Sequence, residues 1–308
     1  MADSSLHTIL GSTGNIGTSL AKDLSAFTDN VRLVSRNPKT IMGNEELVKA
    51  DLLIEEDVDK AIAGSGTVYL VTGITYKIKI WREQWPIIME NVIKACIRHN
   101  AKLVFFDNMY CYDPSHVGHL TEETPVNPQS KKGKVRAQIA QMILDKVQSG
   151  QLTAMIVRAA DFYGPDAKLS FLHEAVINRM KAGKTAQWMY DGNRKHSFTY
   201  IPDASHATSV LVQHESAWNQ VWHLPTSKRY PTVQEVVNIL AKEMGVKPKL
   251  SILPAFMVSI LALFIPLLSE VKDLRYQLDQ DYCFDSSKIE KAFGLKAIEL
   301  EKGLKKCL

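Results

Sequence analysis

The sequence predicts an α/β fold built on a doubly wound parallel sheet. Short apolar runs of strand length recur at residues 6–10, 31–34 and 102–106. Stretches with apolar residues at helical spacing separate these runs, and a glycine-rich turn joins the first run to the first helix. Parallel strands need a crossover between them, and this alternation of strand and helix provides it.

The bulk composition sets limits on function. The chain has 308 residues, 45% hydrophobic and 23% charged, which suits one large or two moderate globular domains. Its net charge of +4 is too small to indicate nucleic-acid binding. The four cysteines are scattered, without the spacing of a metal site or a disulfide framework. We therefore expect no metal, no nucleic-acid partner and a cytoplasmic location.

The first element is a strand, turn and helix over residues 6–27. A glycine-rich turn follows Leu10 and comprises Gly11, Ser12, Thr13, Gly14, Asn15, Ile16 and Gly17. Gly11 allows a sharp turn, Gly14 allows a pyrophosphate to approach the backbone, and Gly17 allows close helix packing. Backbone N–H groups at the start of the helix would then meet the phosphates. The alternative is an ordinary glycine-rich turn.

The spacing G-x-x-G-x-x-G resembles that of the short-chain dehydrogenase/reductase superfamily. The resemblance is to its extended and atypical branches, the NAD-dependent epimerase/dehydratase-like proteins. It implies a Rossmann domain that binds a nicotinamide dinucleotide and a smaller C-terminal substrate domain. On this basis we expect residues 1–165 to form the dinucleotide-binding domain, with 196–225 returning to it. Residues 166–308 then form mainly the substrate domain.

The end of the second strand indicates which dinucleotide binds. This strand ends in Ser35-Arg36-Asn37, without the carboxylate that usually holds the ribose hydroxyls of NAD. The guanidinium of Arg36 suits a 2′-phosphate, so we expect NADP(H) in preference to NAD(H). If Arg36 is only a solvated surface residue, the choice stays open.

Three further positions match cofactor-contacting segments of the resembled family. Asp51 and Leu52 match an Asp followed by an apolar residue beside the adenine, although Asp51 could instead cap a turn or helix. Thr72-Gly73 ends the fourth strand, where the central part of the dinucleotide would pass. Asn91 matches an asparagine that supports the active-site backbone.

The fifth strand, near residues 102–106, leads into the candidate catalytic segment. In open α/β sheets, ligands bind at the carboxyl ends of the strands. Aligning Tyr112 with the family tyrosine places Asn108 where a catalytic hydroxyl residue is usual. Asparagine can bind a carbonyl oxygen but has no hydroxyl for a proton relay. Tyr110, Tyr112 and Tyr163 are candidates to supply the catalytic hydroxyl instead. Alternatively, these three side chains only pack as an aromatic wall.

The next helix departs from the family pattern. Active members present Tyr-x-x-x-Lys there, whereas this chain has Lys132 and Arg136 in the register that keeps the following glycine. A second register pairs Ser130 with Lys134. Lys132 could exchange a proton or contact the cofactor, while Arg136 can bind ribose or phosphate oxygens but keeps its proton.

Four other segments carry expectations. Residues 76–85 look like an amphipathic surface loop, and the alternative is stacking or cation–π contact with a ligand. His196 looks like a surface or strand-edge residue, and the alternative is a phosphate-binding or acid–base role. Asp203 looks like a helix cap. Residues 252–268 are largely apolar but are punctuated by prolines and too short to span a bilayer. A buried, lid or dimer-interface helix is the favoured interpretation there, which allows a homodimer. Peripheral membrane contact or a very apolar substrate is the disfavoured alternative.

Taken with the resemblance, these patterns favour an NAD(P)-dependent oxidoreductase or epimerase-like enzyme. It would transfer hydride to or from a small alcohol, carbonyl or sugar-like substrate through a site that lacks Tyr-x-x-x-Lys. Lys132, Arg136 and the nearby tyrosines are its candidate catalytic residues. The alternative is a non-catalytic dinucleotide-binding redox sensor or regulatory protein.

Overall fold

A computed structural model describes residues 5–165, 167 and 170–308. The strands are β1 (Leu6–Leu10), β2 (Val31–Ser35), β3 (Glu46–Lys49), β4 (Ser65–Leu70), β5 (Lys102–Asn108), β6 (Ala154–Ala159), β7 (Asp161–Tyr163), β8 (Ala186–Met189), β9 (Phe198–Tyr200), β10 (Val221–His223) and β11 (Leu250–Leu253). The helices are α1 (Asn15–Leu24), α2 (Glu55–Ile62), α3 (Ile78–Arg98), α4 (Lys131–Gln148), α5 (Asn178–Lys181), α6 (Ile201–Leu211), α7 (Val233–Met244), α8 (Ala255–Leu261), α9 (Pro266–Lys272), α10 (Tyr276–Asp279), α11 (Ser287–Phe293) and α12 (Leu300–Lys305).

Seven strands form the main sheet, in the order β10-β6-β5-β4-β1-β2-β3. The pairs β1–β2, β1–β4, β2–β3 and β4–β5 are parallel. The order reverses between β1 and β4, which makes their carboxyl ends a topological switch point where ligands bind in such sheets. The predicted fold class, a doubly wound α/β sheet of the Rossmann type, is confirmed.

Helix α1 packs through one narrow face. Its buried residues are Gly17, Leu20, Ala21 and Leu24, which recur at the spacing of one helical face. The helix ends at Leu24, so Phe27 lies in the turn that follows it. This face holds the start of α1 beside the carboxyl end of β1.

The chain divides into two compact units. Unit 1 comprises residues 1–107, 135–158 and 204–222, and unit 2 comprises 108–134, 159–203 and 223–308. The predicted boundary after residue 165 differs from this division, because 108–134 and 159–165 group with unit 2. Residue 166, where the second predicted domain begins, lies outside the described residues.

Unit 2 has its own apolar core. Two small sheets, β11-β8 and β7-β9, belong to it. Tyr163, Trp188, Phe198 and Leu240 are among the buried side chains of this core. Thr232 begins α7 with a capping box, because its side chain accepts from the Glu235 N–H and Glu235 accepts from the Thr232 N–H.

Two local predictions are wrong. Residues 78–85 form the first two turns of α3 rather than a surface loop, and Trp81 and Trp85 are buried. Proline usually ends a helix, but Pro86 lies inside α3. Asp203 lies within the first turn of α6 instead of capping it, and its carboxylate accepts from the backbone N–H of Ile298.

Candidate functional site

The glycine turn after β1 is needed by the fold at two of its positions. Gly11 has φ +98°, and an added Cβ would lie 2.6 Å from the Thr72 hydroxyl oxygen and 2.7 Å from its Cα. An added Cβ at Gly17 would lie 2.6 Å from the carbonyl oxygen of Gly11. The turn therefore packs tightly against the segment that follows β4 and against the first turn of α1.

Gly14 differs from these two glycines. An added Cβ would meet only the Gly11 carbonyl oxygen, at 3.4 Å, so packing within the protein does not demand glycine there. Gly14 is exposed and is the N-cap of α1, and no side chain caps this helix. The first turn also contains no acidic residue. Bare backbone at an uncapped helix N-terminus fits the phosphates of a dinucleotide.

A cleft of about 470 Å³ opens in unit 1 beside this turn. Its walls come from the segments after β1, β2 and β4, at the switch point of the sheet. The lining residues are Gly11, Thr13, Gly14, Val34, Ser35, Arg36, Asn37, Ala50, Asp51, Leu52, Leu53, Thr72, Gly73, Ile74, Thr75, Ile80, Gln84 and Ile88. The residues present fit an extended nucleotide with a phosphate group at the glycine turn.

The structure brings many of the predicted cofactor residues together. Those that line the cleft are Gly11, Thr13, Gly14, Arg36, Asp51, Leu52, Thr72 and Gly73. Those outside its lining are Ser12, Asn15, Ile16, Gly17, Asn91 and Lys132. Ser12 is buried and donates to the Val34 carbonyl oxygen at 3.3 Å, while the Asn91 amide donates to the Leu52 carbonyl oxygen at 3.0 Å. Both therefore support lining residues.

Helix α3 contributes a wall that the sequence interpretation misses. Ile80, Gln84 and Ile88 lie four residues apart and line the cleft. That spacing is a helical signal, but the prediction of a loop over 76–85 hides it. These residues add two apolar side chains and one amide to the binding surface.

Asp51 shows features of both of its predicted roles. Its carboxylate accepts from the Leu53 N–H at 3.0 Å, and its own N–H donates to the Asp57 carboxylate at 3.0 Å. These bonds stabilise the turn before α2, as the capping alternative predicts. Asp51 also lines the cleft, so the position beside a nucleotide stays a proposal.

Arg136 lies in a buried ionic cluster of unit 1. Its Nε donates to Asp107 at 2.7 Å and its Nη2 donates to the Phe106 carbonyl oxygen at 3.1 Å. Arg158 binds the second oxygen of Asp107 at 3.0 Å. The guanidinium of Arg136 also lies 4.8 Å from the ring centre of Trp85, which favours a cation–π contact. The protein itself thus supplies partners for Arg136.

Lys132 lies one turn earlier on α4 and is only 1% exposed. Its Nζ forms an ion pair with the Glu270 carboxylate and donates to the Glu270 carbonyl oxygen at 3.2 Å. The alternative register pairs Ser130, whose Oγ accepts from the Gly133 N–H at 3.0 Å, with the exposed Lys134. Of the two registers, the one with Lys132 and Arg136 therefore has both of its basic side chains buried at the start of α4.

The predicted tyrosines occupy different environments. The Tyr112 hydroxyl is 2.6 Å from His223 Nε2, and His223 Nδ1 donates to the Asp285 carbonyl oxygen at 2.7 Å, so Tyr112 is the donor. Tyr163 is buried in the core of unit 2, and burial raises the pKa of its phenol far above 10. Tyr110 is half-buried, and its N–H donates to the Asn108 side chain at 3.0 Å.

His196 is buried, and the prediction of a surface or strand-edge side chain is wrong. Its Nε2 lies 2.8 Å from Asp161, and Trp188 and Tyr282 pack edge-on against its ring. These neighbours come from three separate segments of unit 2. An isolated histidine in a sequence gives no signal of such a pocket.

The described residues contain no cluster of three or more metal-ligating side chains. None of the helices in the described part of the chain is both long and apolar enough to cross a bilayer.

Comparisons with known proteins place this geometry in context. The chain is 24% identical over 173 residues to 3beta-hydroxysteroid-dehydrogenase/decarboxylase isoform 2 of Arabidopsis thaliana, which is 54% of this chain and 30% of that protein. The fold is similar to that of UDP-glucose 4-epimerase from Thermus thermophilus in complex with NAD. The TM-score is 0.77 at 16% identity, over 98% of this chain and 97% of that one.

A second solved structure with the same fold is UDP-glucuronic acid 4-epimerase from Bacillus cereus, in complex with UDP-glucuronic acid and NAD. The TM-score is 0.78 at 17% identity, over 97% of this chain and 96% of that one. The profile of the "NAD dependent epimerase/dehydratase family" matches residues 7–224, which is well over half of the chain. With its glycine turn, uncapped α1 and cleft at the switch point, the chain therefore belongs to the NAD dependent epimerase/dehydratase family.

Proposed function

We propose that this protein is an NADP(H)-dependent oxidoreductase that transfers hydride to or from a small substrate with a secondary hydroxyl or a carbonyl group. The cleft in unit 1 is the observation that carries this proposal. It combines the uncapped start of α1, the exposed Gly14 and the lining residue Arg36. A bound nicotinamide dinucleotide supplies the hydride for reduction or accepts it in oxidation.

The preference for NADP(H) rests on the end of β2. Ser35, Arg36 and Asn37 line the cleft, and none of them is acidic. Arg36 is exposed and can place its planar guanidinium against a phosphate. A carboxylate at this edge would repel a 2′-phosphate, and its absence favours the phosphorylated dinucleotide.

Lys132 is the proposed proton donor and acceptor of the chain. Its Nζ carries the N–H donors of an ammonium group and forms an ion pair with the Glu270 carboxylate in a nearly buried position. In the proposed reduction, Lys132 would give a proton to the carbonyl oxygen, and in the reverse direction the same nitrogen would take the proton of the hydroxyl. Arg136 positions the helix, because its guanidinium binds Asp107.

Family membership and the named relatives support the proposed substrate class. UDP-sugar 4-epimerases and a 3beta-hydroxysteroid dehydrogenase/decarboxylase are among them, and this supports a substrate with a reactive hydroxyl or carbonyl group. The matched part of the plant enzyme is only 30% of its length, so its full activity is not carried over.

A binding and turnover experiment tests this proposal. Calorimetry of the purified protein should show that NADPH binds more tightly than NADH. Deuterium transfer from labelled NADPH should then be sought with UDP-glucose, UDP-glucuronic acid, 3β-hydroxysteroids and simple ketones. Dinucleotide binding without hydride exchange with any of these would overturn the enzymatic proposal and favour a regulatory dinucleotide-binding protein.

Replacing Lys132 tests its role in that turnover. Lys132→Met removes the proton donor and should lower kcat about a hundredfold or more, since general acid–base catalysis contributes about 10²–10⁴-fold. Lys131→Met is the matched control, because its side chain is exposed on the same helix turn. If both variants keep the parent kcat while remaining folded, Lys132 has no part in the chemistry.

A further inference from the structure

The apolar stretch between β11 and α10 forms a pair of short helices with two faces. Helices α8 and α9 are joined by a tight turn in which the N–H groups of Leu263 and Phe264 donate to carbonyl oxygens in α8. Val258 is buried, and Leu268 and Val271 pack against the core of unit 2. This inner face is enough to attach the pair, which we call the apolar hairpin, residues 255–272.

The outer face of the apolar hairpin is unusually apolar. Leu263 is 80% exposed and Phe264 is 77% exposed. The other large apolar side chains exposed on the same stretch are Phe256, Met257, Ile260, Ile265 and Leu267. Single exposed apolar residues are common, but a group of this size on one short segment is typical of a surface that binds a protein, a membrane or a ligand.

The charges around the apolar hairpin have one predominant sign. Residues 250–269 contain no charged side chain. Lys247, Lys249 and Lys272 are exposed at its two ends, and among the described residues none of them forms an ion pair. At the C-terminal end Glu270 is paired with Lys132, and the exposed carboxylate of Asp273, which accepts from the Lys131 N–H, offsets the charge of Lys272. The net positive charge therefore lies at the N-terminal end, on Lys247 and Lys249.

We propose that the apolar hairpin inserts into the interface of an anionic lipid bilayer. Phe256, Leu263 and Phe264 would enter the boundary between headgroups and acyl chains, while the flanking lysines contact anionic headgroups. Each helix has only seven residues, so the hairpin lies in the interface and does not span the bilayer.

A second copy of this chain fits the same surface less well. A two-fold interface brings identical patches together, so Lys247 and Lys249 of both copies would lie at the rim of one shared interface. Like charges at the rim of an apolar interface oppose association. An anionic lipid surface instead complements both the apolar tip and the basic N-terminal end. Membrane binding is also independent of the proposed hydride transfer.

Vesicle flotation with the full chain tests the proposal. The protein should float with vesicles of phosphatidylcholine containing about one third phosphatidylglycerol, and much less with phosphatidylcholine alone, since anionic lipid supplies the charge attraction. Binding should weaken as salt screens the lysines. Leu263→Ser/Phe264→Ser should lower the partition coefficient about tenfold or more, because two large apolar side chains no longer enter the bilayer.

Matched controls separate this effect from general surface changes. Met42→Ser/Leu47→Ser removes exposed apolar side chains elsewhere and should leave the partition coefficient unchanged. Lys247→Gln/Lys249→Gln should lower it about fivefold for each lysine, and Lys22→Gln/Lys60→Gln should not. The proposal is overturned if the parent does not float with anionic vesicles or if the Leu263/Phe264 variant floats equally well. A dimer in sedimentation that this variant dissociates, without vesicle binding, would assign the surface to a second copy.

Discussion

The guanidinium of Arg136 is held by the carboxylate of Asp107. Nε and Nη2 of Arg136 lie 2.7 and 2.6 Å from the same oxygen, and Arg158 binds the other oxygen. All three side chains are buried. In the resembled family a lysine at the Arg136 position lowers the pKa of a tyrosine and holds the ribose. In this chain the cation at that position, Arg136, is already bound by Asp107. The tyrosine position of the same motif is also changed, because Lys132 occupies it.

Loss of Asp107 should destabilise the fold. Asp107→Ala leaves the guanidiniums of Arg136 and Arg158 buried without their shared carboxylate, and breaking a buried pair in this way costs about 3–5 kcal/mol. Urea denaturation followed by fluorescence measures the change. Asp145→Ala, at an exposed position of α4, should change stability by less than about 0.5 kcal/mol. Equal effects of the two substitutions would contradict the buried cluster.

The glycine turn should separate folding from binding. Gly14→Ala should keep the fold and lower its stability by only about 1 kcal/mol, the cost of the altered N-cap. It should weaken dinucleotide binding at least tenfold, because the added methyl group would occupy the space proposed for the phosphates. Gly11→Ala should lower stability by about 2 kcal/mol or more, because its φ of +98° is strained for alanine and the Cβ meets Thr72.

Thermal denaturation and calorimetric titration with NADPH distinguish these two outcomes. If Gly14→Ala binds NADPH as tightly as the parent, no phosphate lies against this turn.

The end of β2 should determine the choice between dinucleotides. Arg36→Ala should weaken NADPH binding about 10- to 100-fold, the value of a charge-assisted hydrogen bond, and leave NADH binding nearly unchanged. Lys39→Ala, at an exposed position in the same loop, is the control. Dissociation constants for both dinucleotides give the selectivity directly. A parallel loss of NADPH and NADH affinity would show that Arg36 does not contact a 2′-phosphate.

The stability contributed by the loop after Arg36 should decrease at acidic pH, because Glu45 becomes protonated. Partial burial raises the pKa of Glu45, but hydrogen bonds from the Thr40 hydroxyl and the N–H groups of Met42 and Gly43 outweigh it and lower that pKa to about 2. Since the folded pKa lies below the unfolded value of 4.5, the stabilisation is complete above pH 4.5 and is lost as the pH falls towards 2.

Glu45→Gln removes this pH-dependent contribution. The melting temperature of the parent should exceed that of the variant near neutral pH, and the gap should narrow as the pH falls below about 4.5. Glu83→Gln, at an exposed carboxylate of α3, should show no such trend. A gap that is constant with pH would contradict the hydrogen bonds assigned to Glu45.

Part of the cleft could be predicted from short-range patterns. Gly11, Gly14 and Thr72 stand beside strands in a recognisable order, and each lines the cleft. Ile80 and Gln84 escape such prediction because the basic and aromatic residues of 76–85 suggest a surface loop, although residues 78–85 are helical. The four-residue spacing of Ile80 and Gln84 is a helical signal, but the burial of Trp81 and Trp85 that stabilises the helix depends on tertiary packing.

The strand–helix alternation, the glycine turn after β1 and the lack of a Tyr-x-x-x-Lys pair can all be read along the chain. These features depend on backbone preferences and on spacings within a few residues, so no knowledge of distant contacts is needed. Three other features emerge only when the chain is folded: Arg136 binds Asp107, Lys132 binds Glu270, and His196 is buried beside Asp161. Each of these pairs joins distant parts of the chain, and the partner of a buried charge is set by which elements pack together.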